Sequence, residues 1–168
     1  MIEYAKIEQL QEILKLYNKN GKALGRYFKQ DVIDAIESNQ WFVDIENNKI
    51  VAFCSYEIKK RLKRIVITDL CVDIDYRKQH KATNLINFIK EKTKQLNMPY
   101  YAECLKGQEN NAFYEKIGTL DSVREHETYA ILVYKIWMNY LCDMTPKSTH
   151  VKIATKERHI VMGNVKNT

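Results

Sequence analysis

The feature that most constrains the fold is a run of β-branched and apolar residues followed by an amphipathic helix and a second such run. Residues 65–72 read Ile-Val-Ile-Thr-Asp-Leu-Cys-Val, the most strand-like stretch of the chain. From Ala82 onward, apolar residues recur at helical spacing, and Asn97-Met98-Pro99 ends this helix before another predicted strand at residues 100–105. Strand, helix and strand in this order predict a parallel pair with a right-handed crossover.

The rest of the chain predicts more strands and helices around this unit, and no internal repeat is visible. We therefore expect an α/β fold with a central mixed sheet and flanking helices, forming one domain over residues 1–138. A basic extension over residues 139–168 is either a small hairpin or a partly ordered tail. The other predicted elements are strands at 2–5, 41–45, 50–58, 122–127 and 129–138, and helices at 7–17, 28–37 and 110–117.

Composition places the chain among folded proteins that stay in the cytoplasm. Its 168 residues are 45% hydrophobic, enough for one core, but no apolar stretch approaches the roughly 20 residues that a bilayer requires. The first residues carry no secretory signal, so we expect a soluble cytoplasmic protein that has no membrane partner. The histidines show no metal-ligand spacing, and the four cysteines, expected to be reduced, show no CxxC pair.

The net charge of +6 is compatible with a polyanionic partner, either a nucleic acid or a phosphorylated cofactor. Residues 59–64 carry five cations in six positions between two predicted strands, which is typical of a hairpin tip. This tip is either a solvated edge that discourages sheet aggregation or a nucleic-acid contact.

A second group of cations lies between the predicted strand at 65–72 and the helix that follows. Arg77, Lys78 and Lys81 stand there, and Thr83 adds a hydroxyl. A helix N-terminus presents N–H groups without intrahelical partners and a positive dipole end, which suits phosphate. The segment is therefore either a diphosphate-binding turn or an ordinary cationic helix start.

Asp69 is an anomaly in its strand. Regular alternation places it on the same face as Ile65, Ile67 and Cys71, where a carboxylate needs a partner or a function. Two interpretations remain open, a catalytic group or a structural carboxylate within a buried hydrogen-bond network.

Two segments carry a family resemblance. Residues 70–86 read Leu-Cys-Val-x-x-x-Tyr-Arg-x-x-His-x-Ala-Thr-x-Leu-Ile, which resembles motif A of the GNAT acetyltransferases, with its signature Gln/Arg-x-x-Gly-x-Gly/Ala. Residues 111–118, Asn-Ala-Phe-Tyr-Glu-Lys-Ile-Gly, resemble the Phe-Tyr-Glu-Lys-x-Gly helix that follows the fifth strand of that family. The resemblance covers about residues 2–138 and implies the GNAT acyl-CoA N-acyltransferase fold, whose fourth and fifth strands splay apart.

What the resemblance implies is an N-acetyltransferase with acetyl-CoA as acyl donor and direct attack by an amine in a ternary complex. The pantetheine arm would lie between the splayed strands, and Tyr114 matches the tyrosine that gives a proton to the departing sulfur. The residues implied in cofactor binding are Leu70, Cys71 and Val72 through their backbone groups, Arg77 through its charge, Lys78, Gln79, His80, Lys81, Ala82 and Thr83 through their amides, and Asn110.

Two positions depart from the family pattern. His80 stands where the motif has its first glycine, and Gly107 stands where an asparagine is usual, for which Asn110 or Asn111 could substitute. Glycine permits unusual dihedrals and a close approach to phosphate, whereas histidine needs an ordinary loop conformation and adds attraction when it is protonated. We expect cofactor binding to be retained.

The chemistry requires a group that removes a proton from the acceptor. A lysine-like amine has a reference pKa of about 10.4, so deprotonating it at pH 7 costs roughly 4 to 5 kcal/mol. Asp69, one residue before the segment expected to hold the thioester, is the first candidate for base or amine recognition. Glu103, in the next strand, is the second, and by alternation it also fits a solvent-facing position.

The acceptor itself is left open by the sequence. A small-molecule amine or a protein amine is favoured. The alternatives are a nucleic-acid or aminoacyl-tRNA acceptor, suggested by the basic tip and extension, and a binding module that kept the fold but lost catalysis through His80. A homodimer is also left open.

Overall fold

The segments rich in β-branched and aromatic residues form strands of a single mixed sheet. The computed structural model describes residues 1–20, 24, 27–108 and 110–136. Within these residues the strand order is β1-β2-β3-β4-β5-β7-β6. The strands are β1 (Ile2–Tyr4), β2 (Trp41–Glu46), β3 (Lys49–Lys59), β4 (Arg64–Val72), β5 (Tyr100–Leu105), β6 (Gly118–Glu125) and β7 (Ala130–Ile136), and the helices are α1 (Leu10–Lys19), α2 (Lys29–Glu37), α3 (Lys81–Thr93) and α4 (Asn111–Ile117).

The topology confirms the predicted mixed sheet. Strands β4 and β5 are parallel and joined through α3, whereas the other neighbouring strands pair antiparallel. Strand β6 begins at Gly118, four residues earlier than predicted, because it continues directly from α4. The predicted end of the last strand and the extension over residues 139–168 lie outside the described residues.

Two apolar cores cover the two faces of the sheet. The first packs α3 and α4 against it, and the second packs α1 and α2 against the other face. Large residues at their centres are Phe42, Ile65, Leu85, Ile89 and Tyr134 in the first core and Ile13, Tyr17, Val32 and Phe53 in the second.

Two predicted helix faces need correction. Ile7 is 43% exposed because it lies in a 3-10 turn, Ile7–Gln9, before α1 begins. The amphipathic pattern of α3 predicts Lys90 on its solvent side, opposite the apolar stripe, but Lys90 is half-buried, and this burial lowers the pKa of its ammonium. The predicted hairpin tip is present as a 3-10 turn, Lys60–Leu62, between β3 and β4.

A β-bulge in β4 corrects the prediction for Asp69. Ser55 of β3 is opposite Asp69 and the next residue, Tyr56, is opposite Ile67, so Thr68 is the extra residue. A bulge of this kind turns the following residues to the other face. Ile65 and Ile67 therefore pack in the first core, whereas Cys71 packs in the second, and Asp69 lies on the Cys71 side with α1.

The predicted splay between β4 and β5 is present. The two strands pair at three positions only, ending at Ile67 and Ala102. Beyond this point β4 stays paired with β3 as far as Val72, and β5 stays paired with β7 as far as Leu105. A gap therefore opens between β4 and β5, each of which stays paired with a strand on its other side.

Candidate active site

The bulge of β4 places one carboxylate among hydroxyl groups. Tyr17 of α1 donates to Asp69 Oδ1 at 2.8 Å, and Ser55 of β3 donates to Asp69 Oδ2 at 2.6 Å. Thr68 Oγ1 lies 2.6 Å from Ser55 Oγ, which also accepts from the Asp69 N–H at 3.1 Å. Asp69 thus has a structural network and also sits beside the gap. Sequence reasoning missed Tyr17, Ser55 and Thr68, because nothing in a single sequence marks residues brought together by a bulge.

The backbone of β4 forms one wall of the gap. Leu70, Cys71 and Val72 lie beyond the last pair with β5, so no strand of the described residues lies along the β5-facing edge of this segment. Backbone N–H and C=O groups on such an edge can pair with an extended ligand arm as they would with a strand. The position of these three residues fits the role that the resemblance implied.

A turn over residues 73–80 joins the end of β4 at Val72 to the N-terminus of α3. The residue before the helix, His80, provides no side-chain hydrogen bond to the first turn. The N–H groups of Lys81, Ala82 and Thr83 precede the first intrahelical acceptor, so they are the donors that a phosphate would use. The chain and its charge therefore fit a diphosphate here.

The turn that leads into α3 is strained, contrary to the ordinary loop that histidine was expected to need. His80 has φ 61° and ψ 8°, and Lys78 also has φ 61°, both in the left-handed region. This region costs most residues with a side chain roughly 1–2 kcal/mol, whereas glycine adopts it freely. The backbone thus follows a path suited to the motif glycine although histidine occupies it.

The cations of the turn are not equivalent. Lys81 Nζ lies 3.1 Å from Asp44 Oδ2 and 2.5 Å from Glu46 Oε2, so its charge is neutralised from β2 and its pKa is raised chiefly by the hydrogen bond to Glu46. Because it is ion-paired in this way, the side chain adds little net positive charge to the turn, and Lys81 offers its backbone N–H instead. Arg77 donates to the Val72 carbonyl at 3.4 Å. Lys78 and Gln79 are exposed in the turn.

Tyr114 of α4 lies on the other side of the gap, within the first core. Its ring stacks on Tyr134 of β7, with centroids 5.8 Å apart. Burial raises the pKa of Tyr114 far above its ordinary value, and the nearby Cys54, Cys104 and Asp69 raise it further. Its hydroxyl therefore remains protonated at neutral pH, and Asp69 is close enough to influence it.

Asn111, rather than Asn110, secures the segment between β5 and α4. Its side-chain amide donates to the Leu105 carbonyl and to Cys104 Sγ, both at 3.0 Å, while its carbonyl accepts from the Gly107 N–H at 2.8 Å. Asn110 precedes α4, and its buried Oδ1 has no hydrogen-bond partner within the described residues. An unpaired buried acceptor at this place leaves Asn110 able to accept from a ligand N–H group.

Glu103 is engaged in ion pairs. Its carboxylate contacts Arg64 of β4 at 3.4 Å and also pairs with Arg124 of β6. Arg64 in turn lies over the ring of Tyr101, 5.1 Å from its centroid. Both carboxylate oxygens are thus engaged by guanidinium groups, so the second candidate base is better explained as a link between β4, β5 and β6.

No group of three or more metal-ligating side chains occurs in the part of the chain that the structure describes. Among the same residues, no helix has the length and apolar character needed to span a bilayer.

A gap between splayed parallel strands, beside a helix N-terminus with free donors, defines an acyl-CoA-dependent acyltransferase fold. A family model described as the acetyltransferase (GNAT) family matches residues 7–119. The chain belongs to this family, and it is an acetyl-CoA-dependent acyltransferase. None of the curated protein sequences compared with the chain gives a significant match.

Solved structures agree on the fold. N-acetylglutamate synthase from Neisseria gonorrhoeae, complexed with coenzyme A and N-acetyl-glutamate, has a TM-score of 0.67 at 14% identity, covering 82% of this chain. The match spans only 35% of that longer protein. Arabidopsis thaliana Naa50, in complex with the bisubstrate analogue CoA-Ac-MVNAL, has a TM-score of 0.66 at 21% identity, with 80% and 96% of the two chains covered. PaiA N-acetyltransferase from Thermoplasma acidophilum, in complex with coenzyme A, gives 0.66 at 12% identity, with 80% and 98% covered.

Proposed function

We propose that the protein transfers the acetyl group of acetyl-CoA to a primary amine by direct attack within a ternary complex. The observation that carries the proposal is the gap beyond Ile67 and Ala102, which has on one side a strand edge unpaired within the described residues and a carboxylate at its base. A strand-like arm fits the gap, and the Asp69 carboxylate lies on the face of the sheet against which α1 packs.

Acetyl-CoA, the acyl donor, is held chiefly by backbone groups rather than by charged side chains. Leu70, Cys71 and Val72 hold the arm, the amides of residues 78–83 hold the diphosphate, and Asn110 accepts a hydrogen bond from the arm. Bound acetyl-CoA supplies an acetyl group activated as a thioester. Arg77 and Lys78 add positive charge where the diphosphate lies, and Lys81 contributes its N–H only, because Asp44 and Glu46 neutralise its side chain.

Asp69 acts on the acceptor amine. The hydrogen bonds from Tyr17 and Ser55 fix both carboxylate oxygens, yet each oxygen keeps a lone pair. The fixed carboxylate is the final acceptor of the ammonium proton, whose removal costs a free amine roughly 4 to 5 kcal/mol at pH 7.

Tyr114 acts on the leaving sulfur. Its hydroxyl stays protonated because burial raises its pKa. A phenol in this state is a hydrogen-bond donor to a sulfur that gains negative charge, and it provides the proton that the sulfur finally carries.

Cys71 lies beside the gap, where a nucleophile that forms an acyl-enzyme would stand. Its raised pKa favours direct transfer instead. Burial, together with Asp73 and Asp69, raises its pKa to about 12 against the opposing charges of Arg77 and Lys19. A thiol is nucleophilic only as a thiolate, which at neutral pH is then a minute fraction.

The acceptor class is supported by the chemistry and by the ligands bound in two similar proteins. Naa50 was solved with an acetylated peptide analogue, and N-acetylglutamate synthase with an acetylated amino acid. We assign a primary amine, with peptide N-termini and free amino acids as the first classes to examine.

The test has two parts. Saturating acetyl-CoA should raise the melting temperature, since ligand at 100 times its Kd adds about 2.7 kcal/mol to the unfolding free energy. CoA release is then followed with four amines: the peptide MVNAL, glutamate, spermidine and glucosamine. Intersecting initial-rate lines with the best amine are expected for a ternary complex. Absence of thermal protection, or no release with every amine, would contradict the proposal.

A further inference from the structure

A continuous chain of hydroxyl groups joins the surface of the site to Asp69. Ser55 Oγ lies 2.6 Å from Thr68 Oγ1 and 2.6 Å from Asp69 Oδ2. Thr68 is exposed, whereas Ser55 is only 2% exposed and Asp69 is half-buried. The bulge produces this arrangement, because it brings Thr68 and Asp69 to the same side of β4 and opposite one residue, Ser55.

The direction of these hydrogen bonds follows from counting hydrogens. A serine hydroxyl has one hydrogen and two lone pairs, and an ionised carboxylate only accepts. The Ser55 hydrogen therefore goes to Asp69 Oδ2, and the Ser55 lone pairs accept from the Asp69 N–H and from Thr68. Both hydroxyl hydrogens thus point from Thr68 toward Asp69, the order that a proton relay in this direction needs.

We propose that Thr68 and Ser55 relay the proton of the acceptor amine to Asp69, and that Thr68 is the residue that meets the amine. This inference rests on the proposed function, since it requires an amine acceptor and Asp69 as final base. One N–H bond of the ammonium breaks and an O–H bond forms at Thr68. The original Thr68 proton passes to Ser55, and the Ser55 proton passes to Asp69 Oδ2. The amine keeps the electron pair with which it attacks, and the carboxylate becomes a carboxylic acid.

The ionisable groups that face Asp69 stay uncharged in the neutral pH range. Tyr17 faces it from α1, Cys54 from β3, Cys71 from β4 and Tyr114 from α4. Burial raises the pKa of each of these four groups, that of Cys71 to about 12, so all four stay neutral at pH 7. A change of rate with pH between 6 and 9 therefore does not arise from them.

The experiment compares Thr68→Val, which removes the hydroxyl at nearly constant size, with Thr68→Ser, which keeps it. The probe is the amine that gives the fastest CoA release among the four named above, at pH values from 6 to 10. We expect Thr68→Val to lower kcat/KM for the amine by about 10- to 100-fold at pH 7. The loss should shrink as the pH approaches the pKa of the amine, where deprotonated amine no longer needs the relay. Thr68→Ser should stay within about threefold of the wild type, and KM for acetyl-CoA should not change.

Ser55→Ala provides the second variant, because it breaks the middle of the relay and leaves Thr68 in place. Ser55→Ala should reproduce the pH profile of Thr68→Val. A melting curve shows whether each variant is folded. If Thr68→Val is not folded, Thr68→Ala replaces it. The relay is overturned if Asp69→Asn is slow while Thr68→Val is as fast as wild type, or if the Thr68→Val loss is equal at every pH. Wild-type rates for Asp69→Asn would instead overturn the proposed role of Asp69, and the relay with it.

Discussion

The two halves of β4 differ in what surrounds them, and the difference separates stability from chemistry within one strand. Residues 64–67 lie between β3 and β5, and Ile65 and Ile67 are buried in the first core. Beyond them, residues 69–72 pair with β3 and with no other strand of the described chain, and residues 68–72 contain the bulge, Asp69 and the strand edge that faces the gap. A strand held on both sides cannot offer backbone groups to a ligand, so the site begins where the second partner is lost.

Among the variants that compare the two halves of β4, Ile67→Ala is expected to change the unfolding free energy most. Ile67 is 2% exposed, and truncating such a side chain leaves a cavity that costs about 2–5 kcal/mol. Urea denaturation should show this loss, whereas acetyl-CoA binding of the folded fraction should change little. Thr68→Ala, one residue further, is the matched control and should lose less than about 1 kcal/mol, because its side chain is exposed. Similar losses for both variants would contradict the division of the strand.

The sequence alone predicts the structure of the first half of β4 but only part of the second. A run of β-branched residues before an amphipathic helix is enough to predict the parallel pair and the gap. Regular alternation predicts Asp69 on one face with Ile65, Ile67 and Cys71; this is right for Cys71 and wrong for Ile65 and Ile67, because Thr68 interrupts the strand. The partners of Lys81 were equally inaccessible, since Asp44 and Glu46 are more than thirty residues away in the chain and meet it only through the fold.

Tyr114→Phe tests the opposite wall of the gap. The change keeps the ring that stacks on Tyr134 and removes the hydroxyl. If that hydroxyl protonates the leaving sulfur, kcat should fall about 10- to 100-fold, near 1.4–2.7 kcal/mol, with the Kd of acetyl-CoA unchanged. Tyr134→Phe is the matched control: Tyr134 is also a buried tyrosine of the first core, with a pKa raised by burial to about 12, and it should keep nearly full turnover. An unchanged kcat for Tyr114→Phe would remove its acid role.

Lys81→Gln and Lys78→Gln compare two cations of the turn that is proposed to bind the diphosphate. Lys81 pairs with Asp44 and Glu46, so its loss leaves the buried Asp44 carboxylate without that partner and should lower the unfolding free energy by about 1–2 kcal/mol. Lys78 is exposed, so its loss should leave stability within about 0.5 kcal/mol. Isothermal titration with acetyl-CoA should give the reverse order, with Lys78→Gln weakening binding more. The opposite ranking in calorimetry would show that the Lys81 side chain leaves its partners for the ligand.

His80→Gly tests the backbone strain in the turn before α3, for which the smallest change in unfolding free energy is expected. At φ 61° a side chain costs roughly 1–2 kcal/mol, but glycine also gains freedom in the unfolded chain, so the net gain in stability should be about 0.5–1 kcal/mol. His80→Ala keeps the Cβ and removes the imidazole, so it should show no gain. Because the backbone already follows the path of a motif glycine, acetyl-CoA affinity should be preserved or improved in His80→Gly. Weaker binding in both variants would mean that the imidazole itself holds the diphosphate, and weaker binding in His80→Gly alone would mean that the side chain is needed to keep the turn in place.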